Sequence, residues 1–130
     1  MTRENLIAQA LQMREMAYAP YSRFRVGAAL EAEDGTVYTG CNVENAAYGC
    51  CICAERTALV KAVSEGRRRF VRLAVAGDSA DFCWPCGSCR QMLREFAPDL
   101  VVDVVNRAGE FSTVSLSDLL PHSFGPDTLE

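Results

Sequence analysis

The sequence has little histidine, no surplus of basic charge and no long apolar run. Each shortage removes a class of function. The one histidine, His122, lies near the C terminus, where exposure is expected rather than ligation. Formal net charge is −4. That balance suits a polyphosphate partner poorly, because nucleic-acid affinity rests largely on Lys and Arg. The run Arg67-Arg68-Arg69 is the exception, but it follows Gly66 and reads as a solvated loop, so no nucleic-acid partner is expected. No segment is long and apolar enough to span a membrane. The polar N terminus lacks the pattern of a signal peptide, and a cytoplasmic location with no membrane partner is expected. Repeats and low-complexity stretches are also lacking. An apolar fraction of 49% over 130 residues allows one core, so a single domain over 1–130 is expected, with 121–130 as a C-terminal tail.

What the chain does have is cysteine: Cys41, Cys50, Cys51, Cys53, Cys83, Cys86 and Cys89. An odd number in a reducing compartment argues against a disulfide framework and puts metal binding first.

Apolar periodicity places the motifs on elements. Leu6, Ala10, Met13 and Ala17 recur at helical spacing and predict a helix from about Asn5 to Tyr18, ended by Pro20. Phe24 to Glu31 and Val37 to Cys41 read as strands joined by the hairpin signal Asp34-Gly35. The small residues Gly27-Ala28-Ala29 would let a helix or ligand approach closely. A second helix is expected from near Cys53 to Ser64, burying Ala58, Leu59, Ala62 and Val63, with Gly66 at its cap. Phe70 to Ala76 and Leu100 to Val105 read as buried strands. A third helix between them opens near Cys86 and ends before Pro98, carrying Met92, Leu93 and Phe96 inward. Phe111 to Val114 is a fifth strand, and Ser117 to Leu120 one helical turn. Strands separated by helices imply an α/β fold with a mixed sheet. A short turn at Arg107 to Glu110 joins the fourth and fifth strands. A parallel pair needs a crossover of about a dozen residues or more, so these two must be antiparallel.

Cys53 heads one predicted helix, and Cys86 and Cys89 share a face at the start of another. Three thiolates could hold one Zn²⁺ and leave a fourth position for water, as catalytic sites do. Two converging helix N-termini would favour thiolate over thiol. Arg56 could hydrogen-bond a thiolate from outside the ligand set, or form a surface ion pair. Glu55 stands about 200° round the helix from Cys53. Side chains lean toward the helix N terminus, so both still reach a site lying over that end. There Glu55 would move a proton from water to substrate; otherwise it complements the helix dipole. A four-cysteine structural site drawing on Cys50, Cys51 or Cys83, and a redox pair, are the competing accounts of the cysteines. Asn42-Val43-Glu44-Asn45, at a strand end, is placed to meet a ligand or simply forms a turn. Trp84 fits a pocket rim, an interface or a buried anchor.

Cys53-Ala54-Glu55 followed by Pro85-Cys86-Gly87-Ser88-Cys89 resembles the signature of the zinc-dependent nucleoside and base deaminases. Tyr18-Ala19-Pro20-Tyr21-Ser22, Val26-Gly27-Ala28, Gly40-Cys41-Asn42-Val43-Glu44-Asn45-Ala46-Ala47-Tyr48 and Cys86-Gly87-Ser88-Cys89-Arg90-Gln91 narrow the resemblance to the short homotetrameric cytidine deaminases. It spans nearly the whole chain. It implies a three-layer α/β/α fold with a five-stranded mixed sheet. The implied activity is hydrolytic deamination of cytidine and 2′-deoxycytidine to uridine and 2′-deoxyuridine with release of ammonia, in pyrimidine salvage. It implies zinc on Cys53, Cys86 and Cys89. Attack would fall on C4 of the base, with Glu55 passing a proton to N3 and then to the leaving ammonia. Ala54 would position the base and Phe24 would pack on it. Asn42 and Glu44 would hold the ribose 3′-hydroxyl. Neighbouring subunits of a homotetramer would complete each site through Ala46 to Tyr48 and a C-terminal aromatic, for which Phe124 is the candidate. The paired Cys50 and Cys51, and Cys83-Trp84, depart from the usual pattern. An antibiotic deaminase of the blasticidin type, a silent zinc module and an RNA-editing deaminase are the rival functions. Asn42, Glu55 and the acidic charge with the antiparallel strand pair argue against them in turn.

Overall fold

The computed structural model describes residues 2–129. Its order is α1 (Arg3–Met13), β1 (Val26–Ala32), β2 (Val37–Cys41), α2 (Ala54–Ser64), β3 (Phe70–Gly77), α3 (Gly87–Phe96), β4 (Val101–Val105), β5 (Phe111–Ser115) and α4 (Leu116–Leu119). The strands form one sheet in the order β2-β1-β3-β4-β5. β1 is antiparallel to both β2 and β3, β3 and β4 are parallel, and β4 and β5 are antiparallel. The short turn at Asn106–Gly109 closes that last pair, as its length required.

Side chains alternate across the sheet, so each face gathers its own apolar set. α1 covers one face with Leu6, Ile7 and Ala10, against Ala29, Ala74, Ala76 and Val105. α2 and α3 cover the other with Ala54, Ala58, Leu59, Ala62 and Leu93, against Leu30, Leu73, Val75, Val102 and Val104. Three layers result. Two glycines let the helices sit close. A Cβ on Gly27 would fall 2.0 Å from the Ala10 carbonyl oxygen of α1. One on Gly40 would fall 2.5 Å from the Ala54 carbonyl oxygen of α2.

β2 and β3 each oppose β1, so they run in the same direction and finish at the same edge of the sheet. The chain reaches α2 after β2 and α3 after β3. The N-termini of these two helices therefore open at one place, above that edge.

Three expectations need correction. The first α-helix ends at Met13 rather than Tyr18, followed by a tighter turn at Arg14–Met16. Tyr18 is drawn into an extended bridge instead: its N–H donates to the Asn42 carbonyl at 3.0 Å, and its carbonyl accepts from the Glu44 N–H at 2.8 Å. β1 begins at Val26 rather than Phe24. Arg23 takes a left-handed φ of 59°, and the Asn42 side chain holds the Phe24 carbonyl and the Val26 N–H. Val63, Met92 and Phe96, expected inside, are half-buried against the core. The apolar reading of β4 also hides a charge. Asp103 is fully buried, where its carboxylate accepts from Arg72 Nη1 at 2.8 Å and Thr113 Oγ1 at 2.7 Å. Both partners lie on the strands flanking β4, which satisfies a group that burial alone would penalise.

Candidate active site

Cys53 and Cys86 are the N-cap residues of α2 and α3, and Cys89 lies in the first turn of α3. Neither N-cap side chain caps its own helix; both sulfurs turn to the gap between the helix ends. The three Sγ atoms lie within 4.8 Å of one another, and Cys53 and Cys86 are 3.8 Å apart. Two sulfurs each about 2.3 Å from a tetrahedral zinc stand about 3.8 Å apart, so the pair is already at ligand spacing. Among the described residues no other histidine, cysteine or carboxylate group forms such a cluster.

The cluster is built to carry negative charge. Hydrogen bonding from Cys89 holds Cys53 down to about 5, helped by Arg56 and Cys86 and opposed by burial. Hydrogen bonding to Cys53, together with burial, pushes the Cys89 thiol up. Arg56 Nη2 lies 3.8 Å from Cys53 Sγ and donates to the Cys51 carbonyl at 3.4 Å. It is thus placed beside the thiolate rather than in a surface ion pair.

Glu55 is 4% exposed. Burial pushes its carboxyl up to about 7, and the Cys53 charge adds to the rise. A carboxyl near neutrality beside a metal site can both take and give a proton at physiological pH. A bound dication would draw the value down.

The remaining cysteines do not complete a four-sulfur site. Cys51 Sγ accepts from the Asn45 N–H at 3.3 Å, and Cys50 is exposed. Cys83 is a neutral thiol, pushed up to about 12 by burial and by the charges of Glu55 and Cys53. It meets Phe24 over Gly77, where a Cβ would come within 3.0 Å of both Cys83 Sγ and Phe24 Cζ.

A cavity of about 310 Å³ is lined by Tyr21, Ser22, Glu44, Tyr48 and Cys51. Glu44 is fixed in its wall. Oε1 accepts from the backbone N–H groups of Tyr21 at 2.9 Å and Ser22 at 3.1 Å, and Oε2 accepts from the Ser22 hydroxyl. The Ser22 hydroxyl bond leads in holding its pKa below the usual carboxylate value. Asn42 is fixed as firmly: Oδ1 accepts from the Val26 N–H at 2.9 Å, and Nδ2 donates to the Phe24 carbonyl at 2.8 Å. An amide nitrogen carries two protons, so one is left for a ligand. Asn42 thereby holds the backbone on both sides of Arg25, while Arg25 N–H donates to Asp78 at 3.0 Å.

The other expected residues are distributed less evenly. Ala54 is buried under the metal cluster at the start of α2. Tyr48 is 72% exposed and stands edge-on to Tyr21, ring centroids 5.7 Å apart. Ala46 and Phe124 are exposed and form no part of that cavity within this chain. Sequence reasoning assigned no role to Ser22, Asp78 or Gly77. Ser22 had a signal available, a hydroxyl two residues from the expected base-packing Phe24.

Comparison with known proteins agrees with this geometry. The family described as "Cytidine and deoxycytidylate deaminase zinc-binding region" matches residues 1–105. The chain is 52% identical over 125 residues to the cytidine deaminase of Halalkalibacterium halodurans, covering 95% of each chain. It is 50% identical over 127 residues to that of Sporosarcina psychrophila, covering 97% of this chain and 93% of the relative. The crystal structure of cytidine deaminase from Burkholderia pseudomallei superposes with a TM-score of 0.92 at 50% identity, over 95% of this chain and 100% of that one. The match takes in β3, the sheet edge and both ligand-bearing helices, and the chain belongs to the cytidine and deoxycytidylate deaminase zinc-binding family.

Proposed function

We propose that this protein is a zinc-dependent hydrolase that converts cytidine and 2′-deoxycytidine to uridine and 2′-deoxyuridine, releasing ammonia. The observation that carries the proposal is a three-thiol cluster at zinc spacing with the buried carboxyl of Glu55 beside it. Cys53, Cys86 and Cys89 would hold the metal. Zinc supplies Lewis acidity that makes water a nucleophile near neutral pH.

The chain's own residues account for the rest of the reaction. Phe24 packs on the base. Asn42 and Glu44 fix the 3′-hydroxyl of the sugar, a donor and an acceptor facing one hydroxyl group. Glu44 stays ionised, because Ser22 and Tyr21 stabilise the charge. Glu55 takes a proton from water as oxygen bonds to C4, and delivers it to N3. The hydroxyl now on C4 gives its proton through Glu55 to the exocyclic nitrogen and becomes the carbonyl, the C4–N bond breaks, and ammonia leaves. Oxygen takes the place of nitrogen, and one water is consumed. Arg56 supports the Cys53 thiolate.

We propose further that residues 1–130 act as one domain in the cytoplasm, and that a homotetramer shares its active sites. Ala46, Tyr48 and Phe124 are exposed, and of the three only Tyr48 lines the cavity within this chain, as residues serving a neighbouring copy would.

A paired assay tests the chemistry. Purified protein and Glu55→Gln, both with zinc content verified, are given cytidine, and uridine and ammonia are measured. The expected result is turnover by the parent and a loss on the order of a hundredfold or more in the zinc-loaded variant. Zinc-loaded parent protein that releases no ammonia from either nucleoside would refute the proposal.

A further inference from the structure

The helix that bears two metal ligands also grips the end of the chain. Beyond Cys89, α3 carries Arg90, Gln91 and Arg94. Arg90 Nη1 donates to the Leu119 carbonyl at 2.8 Å. Gln91 Nε2 donates to the Phe124 carbonyl at 2.9 Å. Arg94 Nε donates to Ser123 Oγ at 2.8 Å, and Nη2 donates to Asp127 Oδ1 at 2.9 Å. The Arg94 guanidinium also fills the space over Gly125. A Cβ there would fall between 2.5 and 2.7 Å from its Cζ, Nη1 and Nη2. Gly125 is buried as a result, while the residues on either side of it are exposed.

The segment from Ser123 to Asp127 is therefore wrapped around one planar cation. Arg94 side-chain exposure is 14%, which marks it as an anchor rather than a solvated surface charge. The anchored segment carries one large apolar side chain, Phe124, and leaves it 56% exposed. Holding the backbone on both sides of an exposed aromatic ring removes most of the ordering cost that a partner would otherwise meet on burying it. The tail and the ligands Cys86 and Cys89 ride on one helix of 10 residues, so the ring keeps a fixed relation to the metal cluster.

We propose that Arg94 is a positioning residue that holds the C-terminal tail so that Phe124 is presented to the active site of a neighbouring copy of this chain. The inference rests on the shared active site proposed above. Arg94 touches neither substrate nor metal and acts through the ring it places.

The test uses the zinc-loaded protein and the variants Arg94→Ala, Phe124→Ala, their double, and Gly125→Ala alone and with Arg94→Ala. Cytidine kinetics are measured along with the oligomeric mass by light scattering. Loss of the clamp should raise KM about fivefold, the equivalent of one well-made hydrogen bond, with kcat, zinc content and mass little changed. The double variant should be no worse than Phe124→Ala alone, because Arg94 has no effect except through the ring. Gly125→Ala should reproduce the loss in the parent and add nothing once Arg94 is gone. Independent, additive losses for Arg94 and Phe124 would overturn the inference. So would an altered mass for Arg94→Ala alone, since Arg94 would then act on assembly. If Phe124→Ala raises KM and Arg94→Ala does not, the shared site stands and the clamp falls. If Phe124→Ala has no effect, both fall together.

Discussion

Replacing Gly40 by alanine puts one methyl group where α2 rests on the sheet. The added Cβ would lie 2.5 Å from the Ala54 carbonyl oxygen, 2.6 Å from the Ala58 nitrogen and 3.0 Å from the Thr57 Cβ. Non-bonded heavy atoms settle near about 3.5 Å, so the helix must retreat by about 1 Å. Two of the three obstructing atoms are backbone, and no rotamer change relieves them. Overpacking of this kind costs about 1–3 kcal/mol, which for a chain of this size lowers Tm by roughly 4–12 °C. The first turn of α2 is the part that moves, and it carries Glu55 and follows Cys53. A shift of about 1 Å takes Cys53 away from its 3.8 Å spacing to Cys86, and zinc affinity should fall on the order of tenfold. Thermal unfolding, zinc release to a chelating dye and cytidine turnover would all be measured where the variants remain folded. Gly27→Ala is the control. Its Cβ meets the Ala10 carbonyl oxygen of α1 at 2.0 Å, and α1 supplies no ligand. It should lose at least as much stability and release zinc from the folded protein no faster than the parent. The reasoning is refuted if Gly40→Ala keeps its Tm and its metal, or if Gly27→Ala sheds zinc equally fast.

Asp78→Asn should cost roughly 2 kcal/mol at neutral pH, because the carboxylate accepts from the Arg25 N–H and Nε and pairs with Arg14. The folded-state pKa of Asp78 lies below its ordinary value of 3.8. Its contribution is therefore full above that value and lost as pH falls through the lower folded one, so urea midpoints of parent and variant should converge in acid. A constant gap down to pH 2 (about two units below an ordinary carboxylate) would count against the ion pair as the cause. Arg56→Ala should lower zinc affinity by roughly 10- to 100-fold while the circular dichroism spectrum is kept, since Nη2 approaches the Cys53 sulfur. Competition against a chelator of known affinity measures this, and an unchanged zinc affinity would place Arg56 outside the support of the site.

The elements were legible because apolar spacing and turn residues agree along most of the chain. The antiparallel β4–β5 pair followed from a short connection alone. The metal ligands were legible because two helix starts and three cysteines have few other uses in combination. What the sequence hid was compensation between distant residues. Asp103 sits among valines, and nothing local separates a buried aspartate from an exposed one. The lone Arg72 in otherwise apolar β3 was its counterpart, and only the pairing of β3 with β4 brings the two together. The early end of α1 has the same origin: Tyr18 is held by Asn42 and Glu44 from beyond β2. Local propensity favoured another turn of helix, and a long-range bridge prevailed. The role of Ser22 was hidden likewise, because its partner Glu44 stands 22 residues away.

The metal ligands lie on either side of β3, with Cys86 33 positions after Cys53, and this spacing orders the assembly of the protein. A cross-link closing a loop of that length restricts the unfolded chain by about 4 kcal/mol. Cys86 and Cys89 are near neighbours and can take up metal as soon as α3 starts to form. Cys53 can join them only after β3 has been laid beside β1 and α2 has docked above it. On a chain emerging from its N terminus, Cys53 is made first and waits for partners not yet synthesised. Cys53, with Cys41, Cys50 and Cys51 made just before it, is then open to oxidants for the whole of that interval. Zinc supply during synthesis, rather than the stability of the finished protein, should thus set how much active enzyme a cell recovers under oxidising conditions.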